Sequence, residues 1–390
     1  MSISKSLGFT DVQLKKFYFF SVCSWLLLLY CEYVYMYVIN IHYNMFDIYG
    51  AVYLFVDYSK GLIPRGLLGE ILKYPISAYG IHFVDLLMLT KVIIVGCIFV
   101  CCAAVSYKVL MKQSVNNVFL LCMLSVHPLY LMSRIYGIRN DNVWYLFLPV
   151  MFWCIHSVKN VYLKMIILIA CSTVCMLCHH AFIFVFVPLI CVFLILDGSY
   201  RLFLLYSIFM LFEFMVINFG FRNYSYTDTV SMVYDKINKT DIVRLYSKED
   251  IDTPVTLALY GEYGSSHMTQ IFTDRFYLRE YIDKHFPRFG YYICFSLSSI
   301  IVVLKVFMAW LKQNKRNWIL LGIILLPFVF LLVFTVDCDR WFLMILFEMN
   351  ILSMWLICRK TVDVAVKGYM YVVYWISIIC NGCIYATGFY

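Results

Sequence analysis

Runs of about 20 apolar residues recur along the whole chain, and each is long enough to cross a hydrocarbon core of roughly 30 Å as a helix. Backbone amides in lipid have to be hydrogen-bonded internally, so such a chain folds either as helices or as a closed barrel. Alternation with a period of two over segments of about ten residues is absent, which excludes the barrel. Composition agrees: of 390 residues, 63% are hydrophobic and only 14% charged. The expected fold class is all-α, a polytopic transmembrane helical bundle.

Spans are expected near 17–39, 83–106, 117–133, 143–157, 161–178, 180–196, 202–220, 289–310, 318–336, 341–357 and 368–387, about 11 in all. The first follows a polar start (Lys5, Asp11, Lys15, Lys16), is too long for a signal-peptide core and lacks a small-residue cleavage site, so it reads as a retained helix. One set of alternate short connections holds 14 basic residues: Lys5, Lys15, Lys16, Lys108, Lys112, Lys159, Lys164, Arg201, Lys312, Lys315, Arg316, Arg359, Lys360 and Lys367. The other set holds Lys60, Arg65, Lys73, Arg134, Arg139 and Arg340. This bias places the N-terminus in the cytoplasm and the C-terminus outside. It also accounts for the net charge of +8 without a nucleic-acid partner. The 16 cysteines are scattered mainly through the spans, where a free thiol acts as a small hydrophobe, and no spacing suggests a disulfide framework.

The one long connection, 221–288, falls outside and carries nine basic and ten acidic residues. Its second part, "GEYGSSHMTQIFTDRFYLREYIDKHFPRFG", reads as a loop followed by an amphipathic helix at the membrane surface. Without internal repeats, the whole of 1–390 is a single membrane domain that includes this large external loop.

Unusual polar clusters collect on the outer side. In "DYSKGLIPRGLLGEIL", Asp57, Lys60 and Arg65 surround a proline and glycines that suit a re-entrant or membrane-parallel segment. An interfacial helix touching lipid headgroups fits the same residues. "SRIYGIRND" supplies Arg134, Arg139 and Asp141, which would serve equally as helix caps. "FTDRF" supplies Asp274 and Arg275, which suit a solvated face as well as a site. "VDCDRW" puts Asp337, Asp339 and Arg340 at a turn with almost no loop; the competing reading is an ion pair within the turn beside Trp341.

"CSTVCMLCHHAFIF" matches the C-x-x-C-H haem-attachment pattern at Cys175, Cys178 and His179, but lies in a hydrophobic helix with no room for a porphyrin, so no haem, metal or other cofactor is expected. On a helix His179 and His180 point about 100° apart, so at most one faces a given cavity, as a base, a donor or a structural group. Glu32, Lys91, Glu213 and Glu348 fall inside apolar spans, where an ionisable side chain is functional by default. Glu32 and Glu213 lie towards the outer half, and Lys91 has length enough to reach the surface.

An outward cavity of arginines, carboxylates and a histidine suits an amphipathic substrate with an anionic headgroup, such as a polyprenyl diphosphate sugar. Lys60, Arg65, Arg134, Arg139, Arg275 and Arg340 are the candidates for holding the diphosphate. Asp57, His180, Asp337 and Asp339 are the candidates for deprotonating the acceptor or steadying the developing positive charge. Glu32, Asp141, His179, Glu213 and Asp274 are further cavity candidates.

With its external arginine motifs, large external loop and about 11 spans, the chain resembles the bacterial O-antigen and capsule repeat-unit polymerases (Wzy-type), within the GT-C-like polytopic glycosyltransferases. The likeness rests on "KGLIPRGLLG", "CHHAF" and "DCDRW". It implies transfer of a growing glycan from polyprenyl diphosphate onto a lipid-linked oligosaccharide repeat at the periplasmic face of the inner membrane. It implies lipid, a flippase and a chain-length regulator as partners. Other classes stay open. A lipid-linked oligosaccharide flippase or transporter would show repeats and polar groups on both sides of the midplane. A membrane O-acyltransferase would use an intramembrane histidine. The sequons at Asn223 and Asn238 would matter for a dolichol-dependent transferase of the same class.

Overall fold

The computed structural model describes residues 10–34, 55–60, 66–79, 110–126, 143–220, 226–237, 296–334 and 338–387, with isolated positions at 93, 96, 97, 100, 107, 293 and 294. Among these, every regular element is helical. In chain order they are α1 (Asp11–Val34), a single 3-10 turn (Tyr58–Lys60), α2 (Leu67–Tyr79), α3 (Val115–Ser125), α4 (Trp144–Ser157), α5 (Val161–Cys178), α6 (Phe182–Leu196) and α7 (Tyr200–Met215, ending in a π turn at Val216–Gly220). There follow α8 (Tyr226–Ile237), α9 (Leu297–Gln313), α10 (Lys315–Phe334), α11 (Cys338–Cys358) and α12 (Gly368–Thr387). Among the described residues, three stretches are long and apolar enough to cross a bilayer: Val161–Cys178, Tyr200–Asn218 and Trp341–Cys358.

Helix α6 lies at the centre because its sequence, "FIFVFVPLICVFLIL", has no polar face to turn outwards. Thirteen of its fifteen residues are buried. It packs against α4, α5, α7, α10 and α11. Helix α11 is the second central element, touching α3, α6, α9 and α10, and it buries Glu348, Asn350 and Ser353 with its apolar residues. Helices α1, α3, α9 and α12 close the other flank, where Ser21 and Tyr374 share a hydrogen bond of 2.8 Å and Phe119 packs on Tyr371 and Tyr374. Helix α7 leaves Leu204, Leu205, Ile208, Leu211 and Phe212 exposed, an apolar surface that hydrocarbon rather than water solvates.

Local chemistry sets the helix ends. Asn160 accepts hydrogen bonds from the N–H groups of Tyr162 and Leu163 and so starts α5. Gly198 closes α6 at φ +78°, where glycine alone has no steric cost, and the Ser199 N–H reaches back to the Leu194 carbonyl at 2.9 Å. The same device ends α11, with Lys360 at φ 55° and the Thr361 N–H on the Leu356 carbonyl at 3.0 Å.

Two departures from the sequence reading are local. The run expected as a helix from residue 180 begins at Phe182, so the two histidines lie in the tight turn between α5 and α6 and not on a helix. The run expected over 117–133 leaves its helix at Ser125. The amphipathic helix expected in the second part of the long loop lies outside the described residues; an unexpected one, α8, lies in the first part.

Candidate functional site

The side-chain bonds divide the bundle into two chemically different ends. At one end six segments meet. Lys15 donates to the Met111 carbonyl at 3.4 Å, Gln113 to the Cys358 carbonyl at 3.3 Å, and Gln313 to the Thr361 carbonyl at 2.9 Å. Asp197 receives Lys164 Nζ at 3.2 Å and Arg359 at 3.0 Å, and Lys164 also donates to the Ile155 carbonyl at 3.0 Å. The Arg359 guanidinium lies 4.8 Å from the centre of the Trp355 ring, which stacks on Phe193. Arg316 sits 5.4 Å over Tyr200. Basic residues dominate this end; among the described residues of these segments only Asp11, Asp197 and Asp363 oppose them.

Each helix that starts there carries the chain away, so the turn between α5 and α6 lies at the opposite end. The Cys175 carbonyl accepts from both the His179 N–H and the Trp144 indole, each at 3.0 Å, which ties α4 to this turn. His179 is 3% exposed, and its Nδ1 accepts the Ala181 N–H at 3.2 Å. A nitrogen that accepts carries no proton, so the neutral ring keeps its proton on Nε2. His180 is half-buried, 5.5 Å from the His179 ring and 6.5 Å from Phe214. Thr173 donates to Glu213 Oε2 at 3.1 Å, linking α5 and α7 near the same end.

The stretch beginning at Asp57 arrives here as well. Helix α2 packs on α5, and Tyr58 comes within electrostatic reach of Cys178. Asp57 is 1% exposed and holds four donors: Lys236 Nζ at 2.5 Å, Lys73 Nζ at 3.5 Å, the Ser59 hydroxyl at 2.5 Å and the Ser59 N–H at 3.0 Å. Burial alone would raise the carboxyl's proton affinity, but the bonds from Lys236 and Ser59 outweigh it and hold the Asp57 pKa at about 2. Lys236 also donates to the Phe55 carbonyl at 3.0 Å, and Ser59 Oγ, its proton on Asp57, touches Met232 Sδ at 2.9 Å, so α8 of the long loop is bolted onto this stretch. Glu70 accepts the Tyr58 N–H at 3.0 Å and lies 3.7 Å from Lys73, fixing α2 to the same turn.

Sequence reasoning singled out Asp57 but not Lys236, its strongest partner. The signal was the polar–apolar pattern of Tyr226–Ile237, which puts Met232, Val233 and Lys236 on one side of a helix. Of the other candidates, Lys60 lies in the 3-10 turn, Glu32 in α1, and Asp339 and Arg340 in the first turn of α11. Arg65, Arg134, Arg139, Asp141, Asp274, Arg275 and Asp337 lie outside the described residues, as does Lys91. Glu348 is 0% exposed, and neither carboxyl oxygen has a hydrogen-bond partner. Among the described residues no group of three or more His, Cys, Asp or Glu side chains is placed to hold a metal ion.

The chain matches no family model, no curated protein and no solved structure.

Proposed function

We propose that this chain is a polytopic membrane glycosyltransferase of about 11 spans, and that it polymerises lipid-linked oligosaccharide repeats at the outer face of a bacterial inner membrane. The observation that supports this reading best is the separation of chemistry between the two ends. One end gathers basic side chains into interlocked ion pairs, as the cytoplasmic side of a membrane protein does. The other carries the Asp57–Lys73–Lys236 cluster, His180 beside Phe214, and the Thr173–Glu213 bond, contributed by segments far apart in sequence.

In the reaction, the acceptor hydroxyl oxygen bonds to the anomeric carbon of the growing glycan. The bond from that carbon to the polyprenyl diphosphate breaks, and the hydroxyl proton passes to a base. Asp57 is poorly suited as that base, because a carboxyl with a pKa of about 2 binds protons weakly. It serves instead to hold Lys73 and Lys236 beside the site. The base is then His180, Asp337 or Asp339. His180 suits the role through its half-buried position in a turn, whereas His179 spends Nδ1 on the turn itself. Arg65 and Arg340, helped by Lys60, Arg134, Arg139 and Arg275, neutralise the departing diphosphate.

The test is complementation of a deletion strain with His180→Ala, Arg65→Ala and Arg340→Ala variants that accumulate normally in the membrane. The reading predicts surface glycan reduced to single-repeat material. Ladders of normal length from all three variants would refute it. Loss of single-repeat material as well would favour a flippase.

A further inference from the structure

Two arginines at the basic end stack on aromatic rings, and they differ in what neutralises them. Arg359 lies 4.8 Å from the centre of the Trp355 ring and gives its charge to Asp197 at 3.0 Å. Arg316 lies 5.4 Å from the centre of the Tyr200 ring, and among the described residues its guanidinium has neither a carboxylate nor a hydrogen-bond acceptor. Its backbone N–H is tied to the Asn314 side chain at 2.9 Å, so the start of α10 is ordered while the charged group stays open. Stacking holds the guanidinium plane against the ring and leaves its N–H edges free to donate. Arg201 and Lys315 adjoin this pair in the chain; both are exposed, and neither is in an ion pair among the described residues. The nearest acid in the chain, Asp197, is already matched by Lys164 and Arg359. Helix α10 contains no acidic residue, and the first in α7 is Glu213, about 20 Å along that helix from Tyr200.

From this cationic point the two helices run on with exposed apolar residues, Leu204, Leu205 and Ile208 on α7 and Trp318 and Ile319 on α10. Both helices pack on α6, so these residues flank the same buried core helix. Unneutralised cations at the head of an apolar surface match an amphipathic molecule with an anionic head and hydrocarbon tails. We propose that Arg316, with Arg201 and Lys315, holds the phosphate of an anionic phospholipid where the starts of α7 and α10 meet. A free anion would satisfy the charges and leave the apolar residues unused. A zwitterionic headgroup brings its own cation and gains less from three more. Such a site requires a membrane-embedded chain and is independent of any reaction at the other end.

The experiment titrates the full chain, purified in detergent, with phosphatidylglycerol or phosphatidylcholine and counts bound lipid by native mass spectrometry. The wild type is expected to prefer phosphatidylglycerol. Arg316→Gln should weaken that lipid about 5-fold, the worth of one cation beside a charged headgroup, with the thermal midpoint of the lipid-free protein unchanged. Arg201→Gln should also weaken it. Lys159→Gln, at an exposed lysine in the turn between α4 and α5, should leave it unchanged. Equal wild-type affinity for the two lipids overturns the inference, because headgroup charge is then not read. Equal effects of Arg316→Gln and Lys159→Gln overturn it as well, since any cation at this end would then serve. A lower lipid-free midpoint in Arg316→Gln does the same, because the guanidinium then has a partner within the protein. Displacement of phosphatidylglycerol by an equal concentration of inorganic phosphate would show a site that reads the anion alone, and the lipid would be the wrong occupant.

Discussion

Lys236 Nζ lies 2.5 Å from Asp57 Oδ2, although 179 residues separate them in the chain. The pair fastens a helix of the long loop to the first polar stretch, and Asp57 is almost wholly enclosed while Lys236 keeps part of its surface in solvent. Removing one partner of such a pair costs more than the pair contributes, because the other is left without its counter-charge. Lys236→Met is therefore expected to lower unfolding stability by about 2 kcal/mol, reduced from the fully buried case by the exposure of Lys236 and by Lys73 nearby. Asp57→Asn is expected to cost a similar amount, measured as the thermal midpoint in detergent. The exchanged pair Asp57→Lys with Lys236→Asp should recover less than half, because Ser59 and Lys73 are arranged for a carboxylate at position 57. A Lys236→Met variant as stable as the wild type would show that α8 does not depend on this bond.

The same carboxyl sets a pH dependence. Its folded pKa of about 2 lies below the ordinary value of 3.8, so its contribution is complete above about pH 4 and disappears as pH falls towards 2. The shift corresponds to about 2 kcal/mol. Acylation of Lys236 by an amine reagent, after brief acid exposure and return to neutral pH in the presence of the reagent, is expected to rise only for exposures below pH 4. Asp57→Asn should remove that dependence. A transition centred near pH 6 would assign the effect to a histidine.

At the basic end, Asp197 neutralises both Lys164 and Arg359. Lys164 is the more enclosed, with 8% of its side chain exposed against 37% for Arg359. Asp197→Ala is expected to cost about 3 kcal/mol by leaving Lys164 buried with only the Ile155 carbonyl, whereas Arg359→Ala should cost about 1 kcal/mol. The order of the two thermal midpoints is the measurement; the reverse order would contradict the burial argument.

Lys360 adopts φ 55° at the close of α11, a conformation that favours glycine. Lys360→Gly is expected to stabilise the chain by about 0.5 to 1 kcal/mol. At the corresponding turn after α6, Gly198→Ala meets open space but has φ +78°, and should destabilise by about 1 kcal/mol. Opposite signs at these two positions, read from thermal midpoints, would establish that backbone strain and not packing governs both turns.

Glu348 offers a contrast with Asp57, since it is enclosed without any bond to its carboxyl oxygens. Replacing such a group with an apolar one of similar size removes an unmet hydrogen-bonding demand. Glu348→Met is expected to raise the thermal midpoint, and Glu348→Lys to prevent accumulation in the membrane. A destabilised Glu348→Met would show that the carboxyl is partnered in the folded protein.

The all-helical class was legible because apolar runs of about 20 residues without period-two alternation leave the backbone no other way to satisfy its hydrogen bonds in lipid. What the sequence could not show was which polar residues meet. Asp57 stood out by its surroundings, but the amphipathic pattern of Tyr226–Ile237 puts Lys236 beside Met232 and Val233 without naming Asp57 as its partner. The histidines fall where two apolar runs nearly abut, at 178 and 180, so the sequence leaves no visible room for a turn between them. The turn is made by backbone bonds from residues 179–182 that no side-chain pattern announces.

The account stands on sidedness: the end carrying Asp57, Lys73 and His180 faces the compartment opposite to the end carrying Lys159 and Lys360. Labelling of spheroplasts with a membrane-impermeant amine reagent, followed by peptide mass spectrometry, measures this directly, because Lys73, Lys159 and Lys360 are all exposed. The account predicts modification of Lys73 in intact spheroplasts and of Lys159 and Lys360 only after the membrane is permeabilised. Lys73 protected until permeabilisation, with Lys159 and Lys360 modified from outside, would contradict it.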